Sequence, residues 1–327
     1  MEIGSNISRR TILTGAGFAV NFGGYDVQTF NDTLLTLPTV TQNSNIVRIV
    51  REAWNFEEAL GSARRECSVR DVRILEEAIM QVYRLHNIRV TDRSNSYYRE
   101  FDTTWVIQGF LKRLSYIGGA AVNTAFQFTL NQDLLFESML TGYQEQRPYH
   151  LLGIDHRHGH YLGLNHDLDA MIQVDQDITR LSKIETANRI NIVKLHGSAD
   201  WQTSDGSLLV VGSDKEEFIQ KNPLLKIYQE VFSQICSTPE MRLIVIGYGF
   251  GDEHINRILA EGMKKGLRIW VWDIDRRLVW QEKVQKLPHG DVITSDYTYC
   301  NERLSHVFFG NDSGYRSLGS FLDGFLD

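Results

Sequence analysis

What most constrains this chain is a set of short apolar-rich runs that each stop at a glycine or a polar residue. They are Thr11–Thr14, Phe126–Thr129, Asn191–Leu195, Leu243–Gly247 and Ile269–Trp272. Runs this short, rich in Ile, Val, Leu, Phe and Trp, suit strands covered on both faces, as in a parallel sheet. Leu208–Val211 adds an edge strand or hairpin arm. Helical signals fall between the runs, at Phe218–Ile235 and His254–Lys264. Strands alternating with helices specify the α/β class, here a doubly wound, mostly parallel sheet of Rossmann type. Such sheets bind ligands at the carboxyl ends of their strands, which fixes where chemistry is to be sought.

One stretch breaks this alternation. Val72, Leu75, Ile79, Val82 and Leu85 recur at helical spacing, as do Val106, Phe110, Leu114 and Ile117. The spacing predicts helices around Ile46–Leu60, Val69–Leu85 and Tyr98–Ile117, with stripes that pack a core. The expected division is therefore an α/β domain from residues 1–41 and 121–285, with a helical insertion at 42–120. Residues 286–327 form a C-terminal extension whose aromatics (Tyr297, Tyr299, Phe308, Phe309, Phe321 and Phe325) serve packing or a subunit contact.

Composition excludes several classes. No apolar run approaches the ~18 residues that span a bilayer. A formal charge of −7 over 327 residues argues against a general nucleic-acid binder but leaves room for a local basic patch, and nucleic acid is expected to act only indirectly. Cys67, Cys236 and Cys300 are scattered, with no CxxC pair, so neither a disulfide framework nor a zinc ribbon is expected, and a reducing cytoplasmic setting fits. Ser8-Arg9-Arg10-Thr11 followed by an apolar stretch imitates a twin-arginine export signal. That stretch ends at Asn21 without a small-x-small cleavage site, and reads better as a strand and a glycine turn.

Five elements at the expected strand ends could carry chemistry. Thr14-Gly15-Ala16-Gly17-Phe18 follows the first strand, where glycines let backbone approach a pyrophosphate, although the full GxGxxG pattern is absent because position 20 is Val. Thr129-Leu130-Asn131-Gln132-Asp133 reads equally as a helix cap or as Asn131 and Asp133 facing a ligand. His196, in Lys194-Leu195-His196-Gly197-Ser198, sits where a general base would, and also where a structural histidine would. Gly247-Tyr248-Gly249-Phe250-Gly251-Asp252 permits close approach to a nucleotide, with a helix capped at Asp252. Trp272-Asp273-Ile274-Asp275 ends a strand in acids that can accept from ribose hydroxyls or cap a turn. A rival cluster, Asp155-His156-Arg157-His158-Gly159-His160 with His166 and Asp167, is dense in metal donors but lacks a familiar zinc spacing. It reads as a loop near the cofactor mouth.

Taken in order, these motifs resemble the sirtuin-like proteins, and their bacterial antiphage-defence branch more than the deacylases. Gly15-Ala16-Gly17-Phe18, Thr129-x-Asn131-x-Asp133, Lys194-Leu195-His196-Gly197-Ser198 and Gly247-Tyr248-Gly249-Phe250-Gly251-Asp252 carry the resemblance, over residues 8–40 and 120–275. The departures matter too. The four-cysteine zinc site of the deacylases cannot be built, Asn21-Phe22-Gly23-Gly24-Tyr25-Asp26 replaces their Gly-Ile-Pro-Asp-Phe-Arg-like stretch, and Thr-Leu-Asn stands for Thr-Gln-Asn.

The resemblance implies NAD as substrate and cleavage of its nicotinamide–ribose bond to nicotinamide and ADP-ribose, while the missing cysteine site and zinc spacings lead to the expectation of no zinc or other metal. It implies Asn131, His196 and Asp133 as catalytic. Asn131 orients water or a ribose hydroxyl, His196 acts as base, and Asp133 holds the nicotinamide carboxamide. Gly15, Ala16, Gly17, Phe18, Thr129, Gly247, Tyr248, Phe250 and Asp273 are the expected cofactor-binding residues. It further implies NAD depletion as antiphage defence, a higher homo-oligomer and a HerA-type ATPase partner. An NAD-dependent deacylase and a non-catalytic NAD-sensing module are the alternatives. Nicotinamide release without acyl peptide separates the leading reading from both.

Overall fold

A computed structural model describes residues 3, 7–91, 124–136, 149–154, 172–174, 177–181, 183, 186–187, 190–204, 206–212, 214–303 and 320–326. Its strands are β1 (Arg10–Thr14), β2 (Ala125–Thr129), β3 (Tyr149–Leu151), β4 (Ile172–Gln173), β5 (Ile190–Lys194), β6 (Gly197–Thr203), β7 (Gly206–Leu209), β8 (Arg242–Ile246), β9 (Arg268–Trp272) and β10 (Thr298–Cys300). Seven of them form one sheet in the order β10-β9-β8-β1-β2-β5-β3, and every pairing in it is parallel. The remaining three form a small sheet, β4-β6-β7, in which β6 and β7 make an antiparallel hairpin. The doubly wound parallel sheet expected from the short apolar runs is therefore the fold.

The sheet's order explains why both of its faces must be apolar. β1 is central, with β2 on one side and β8 on the other, and all five of its residues are buried. Two threonines within this apolar strand satisfy their hydroxyls across the ladder. Thr11 Oγ1 donates to the Phe126 carbonyl at 2.9 Å, and Thr14 Oγ1 to Thr129 Oγ1 at 2.9 Å. Burying them costs little, because each donor has a partner. The helix Pro223–Cys236 lays Leu224, Tyr228, Val231, Phe232 and Ile235 into this core, and Glu253–Lys264 adds Ile255 and Leu259.

Two expected helices are each split in two, for one reason. The run expected at Phe218–Ile235 is two helices, Lys215–Lys221 and Pro223–Cys236. Pro223 cannot continue a helix but suits its first position, and Asn222 caps the second helix by accepting from the Leu225 amide. Likewise Ile46–Leu60 splits into Ser44–Glu52 and Phe56–Glu66, where Asn55 accepts from the Glu58 amide. The helix expected at Val69–Leu85 continues to Thr91. The one expected at Tyr98–Ile117 lies outside the described residues.

A second hydrophobic cluster joins these helices. It gathers Ile46, Ile49, Leu60, Leu75, Ile79, Val82 and Tyr83, and also Phe30, Leu34, Leu37 and Val40 from Val27–Leu34 and the turn after it, with Ala199 of β6 beneath. In the C-terminal part β10 extends the sheet beyond β9, and Phe321 and Phe325 pack on Trp272 and Trp270. Among the described residues, no helix is long and apolar enough to cross a membrane.

Candidate active site

The chain leaves β1, β2, β5, β8 and β9 at the same end of the sheet, so the residues after them converge. A cavity of about 1150 Å³ opens there, lined by Gly15, Ala16, Gly17, Asn131, Asp133, His196, Gly247, Tyr248 and Asp273 among others. Nine of the twelve site residues expected from sequence thus share one cavity. Thr129, Phe18 and Phe250 are not among its lining residues. Thr129 is buried, and its hydroxyl oxygen accepts from the Asn131 amide at 3.0 Å, so it shapes the turn that carries Asn131. Phe18 packs on Phe22 and Phe136, and Phe250 on Tyr248 and Trp280.

Between the ends of β1 and β8, in the middle of the sheet, two glycine turns press together. A Cβ on Gly15 would stand 2.7 Å from the Gly247 carbonyl oxygen, and one on Gly247 would stand 2.5 Å from the Phe18 amide nitrogen. Gly247 also has φ +62, which other residues rarely adopt. The Gly15 amide donates to Ile246 O at 3.0 Å and the Gly17 amide to Gly247 O at 2.9 Å. Those two amides are therefore spent on joining the turns, while the absence of side chains keeps the cavity floor open. Beyond them Phe250 is held at φ +57, its carbonyl accepting from Asn256 Nδ2 at 2.7 Å. A bulky residue in that region is strained and persists only where its surroundings fix it.

Beside these turns, after the neighbouring strand β2, Asn131 is buried and its Nδ2 finds no partner among the described residues. An unmatched buried amide donor beside a cavity is costly unless a ligand or water satisfies it. Asp133 is more fully engaged. Its Oδ1 accepts from the Leu135 amide at 2.9 Å, and His86 Nε2 stands 3.6 Å from Oδ2, an electrostatic contact rather than a hydrogen bond. Burial pushes this carboxyl up, but His86, Lys194 and the Leu135 amide outweigh burial and hold it below the usual range. Lys194, fully buried, donates to the Asp133 carbonyl at 2.6 Å and to Ser198 Oγ at 2.9 Å. The motif lysine thereby ties the turn after β2 to the turn after β5.

His196 follows β5 and is almost wholly buried. Its Nε2 lies 3.1 Å from Nε2 of His254, so one ring donates and the other accepts. Burial, aided by Lys215 and His254 and opposed by Asp252, drives His196 down to about 3, and burial also lowers His254. Both imidazoles are neutral near pH 7. Asp252 neighbours them. Burial raises its carboxyl, but His196, Lys215 and His254 outweigh this and hold it at about 2. Lys215 Nζ bridges Asp252 Oδ1 and Glu57 Oε2, each at 2.8 Å. Asp252 was expected to cap the helix Glu253–Lys264. It does stand at that position, yet its side chain makes no capping bond, because the carboxylate is turned to Lys215 instead. Among the described residues, His196, Asp252 and His254 form a set able to hold a metal ion, with donor atoms within 4.8 Å of one another. The histidine-rich segment from Asp155 to Asp167 lies outside the described residues.

Sequence reasoning missed His254, Lys215, Glu57, Tyr83 and His86. Lys215, Glu57, Tyr83 and His86 line the cavity from elements read as cover or core. Tyr83 donates to Gln132 Oε1, and Gln132 Nε2 donates to Val210 O at 2.6 Å, fixing the turn beside Asn131. The available signal was Tyr83 and His86, polar-tipped aromatics on the stripe of a core helix. At the far end Asp273 lines the cavity with Asp275, Lys283 and Arg303. Its Oδ1 accepts from the Asp275 amide at 3.0 Å, and burial together with the Asp275 charge holds its carboxyl above the usual range.

Residues 126–272 match the family model of the SIR2-like domain, a stretch that contains Asn131, His196 and Gly247. A search of curated proteins finds no match. SIR2-like domains bind NAD and are typically NAD-dependent enzymes. The central part of the chain is therefore similar to SIR2-like domains, and this similarity supports a sirtuin-like family.

Proposed function

We propose that the protein hydrolyses NAD at its nicotinamide–ribose bond, releasing nicotinamide and ADP-ribose. The observation that carries this reading is that Asn131, with its unpartnered buried amide, and His196 line one cavity whose floor is the Gly15–Gly247 contact. The leaving group is already cationic in NAD and departs neutral, so no strong general acid is required. The work left is to steady an oxocarbenium-like ribose and to aim water at it, as in glycoside hydrolysis. Asn131 Nδ2 is a donor for a ribose hydroxyl or that water. His196, neutral because it is buried, accepts the proton as water adds, and a weak base suffices against so strong an electrophile. Asp133 meets the nicotinamide carboxamide, Gly15, Ala16 and Gly17 lie under the pyrophosphate, Tyr248 lies on the adenosine side, and Asp273 accepts from its ribose. With the Gly15 and Gly17 amides spent, Ala16 is the residue of the three whose amide neither turn-joining bond uses.

The wider reading rests on the resemblance of the motifs: NAD depletion in the cytoplasm as antiphage defence, by a homo-oligomer acting with a HerA-type ATPase. The test compares wild type, Asn131→Ala and His196→Ala for NAD binding and nicotinamide release without acyl peptide. Both variants should bind NAD and lose release by ~10²-fold or more. Undiminished release in both would overturn the assignment.

A further inference from the structure

We propose that His196, Asp252 and His254 bind one divalent transition cation of the zinc class, and that this cation competes with substrate turnover by capturing His196. The geometry carries the proposal. Two tetrahedral zinc–nitrogen bonds of ~2.0–2.1 Å set their nitrogens about 3.3 Å apart. His196 Nε2 and His254 Nε2 stand 3.1 Å apart, so a cation fits between them after a shift of a few tenths of an ångström. The carboxylate of Asp252 lies in the same set, all donors within 4.8 Å.

A second observation is independent of that distance. An aspartate at the start of a twelve-residue helix ordinarily accepts from the helix's free amides, and Asp252 does not. Its Oδ1 instead accepts from Lys215, and Oδ2 is the oxygen left for the cation. Local charge permits this. Glu57 and Asp252 outnumber the one ammonium of Lys215, so the carboxylates around the histidine pair leave a net negative charge for a cation to meet. Two imidazoles and one carboxylate are a borderline donor set that favours zinc, cobalt or nickel over magnesium or calcium. His196 and Asp252 line the cavity, which leaves the fourth position open to water.

The binding claim stands apart from the enzymatic reading, whereas the inhibition claim rests on His196 being the base. The experiment separates them. Chelator-treated full-length protein is titrated with cobalt(II), following its visible d–d absorption and measuring metal per chain, with no NAD present. One cobalt per chain is expected, displaced by zinc. His196→Ala and His254→Ala, checked for folding by circular dichroism, should each weaken binding by at least the ~10–100-fold that loss of an outer-shell partner costs. The double change His158→Ala and His160→Ala should leave spectrum and stoichiometry as they were. No binding, or binding lost only in that double variant, overturns the site. Cobalt or zinc should also slow nicotinamide release, with recovery on adding chelator. Binding at the triad without such slowing overturns the inhibition and the assignment of His196 as base, while leaving the cation site intact.

Discussion

Replacing Gly247 by alanine tests the idea that two glycine turns are locked together to make the cavity floor. A left-handed residue with a Cβ costs ~1–2 kcal/mol. The new methyl would also lie 2.5 Å from the Phe18 nitrogen and 2.6 Å from the Gly17 carbonyl carbon, both backbone, so nothing flexible can yield. Forcing atoms into such a contact costs a further ~1–3 kcal/mol. The expected loss is therefore about 2–5 kcal/mol, a large part of the ~5–15 kcal/mol that holds a domain together. Gly249 and Gly251, two and four residues on, have open space where a Cβ would go and no left-handed φ. Alanine at either should be neutral or stabilise by up to ~1 kcal/mol, because it restricts the unfolded chain. Urea unfolding of the three variants reads the difference directly, provided the slope m is unchanged. A Gly247→Ala protein as stable as Gly249→Ala would refute the locked-turn reasoning.

Acid should destabilise the fold in two stages. His196 and His254 have lowered folded pKa values, so the unfolded chain binds more protons below its ordinary histidine pKa near 6.5. Their contribution is complete above that pH and is lost as pH falls toward about 3. Asp252, held at about 2, adds a loss that begins below the ordinary carboxylate value of ~3.9. Melting temperature against pH should therefore begin to fall near pH 6.5 in the wild type and fall less steeply in His196→Ala, which keeps only His254; identical profiles would count against the buried neutral pair. Lys215→Met leaves Glu57 and Asp252 facing each other without their shared cation. Because Glu57 keeps 27% of its side chain exposed, the cost should sit at or below the low end of ~3–5 kcal/mol, and unchanged stability would refute the bridge.

The sheet was legible because its strands announce themselves. Runs such as Leu243–Gly247 and Ile269–Trp272 lie within one residue of β8 and β9. Burial on both faces leaves such a run little alternative. Helix breaks were less legible, since the apolar spacing of Phe218–Ile235 continues across Asn222-Pro223 and only local cap and proline chemistry ends one helix there. β10 was missed because three residues, partly exposed, carry too little pattern. At the site, strand-end motifs led to Asn131, His196 and Asp273, since topology alone brings strand ends together. His254, Lys215 and Glu57 were not legible, because they come to His196 and Asp252 from three helices whose relative placement is set by packing. Nor does any local pattern reveal that Asp252 forgoes its cap for Lys215.

The central claim is that water cleaves NAD at this cavity. The most direct measurement follows nicotinamide and ADP-ribose by chromatography when the purified protein meets NAD without any acyl peptide. If the enzyme is held off until a partner ATPase or nucleic acid joins it, the same assay with each added completes the test. Equimolar release of both products, abolished by Asn131→Ala, is expected. Intact NAD under all three conditions would contradict the claim.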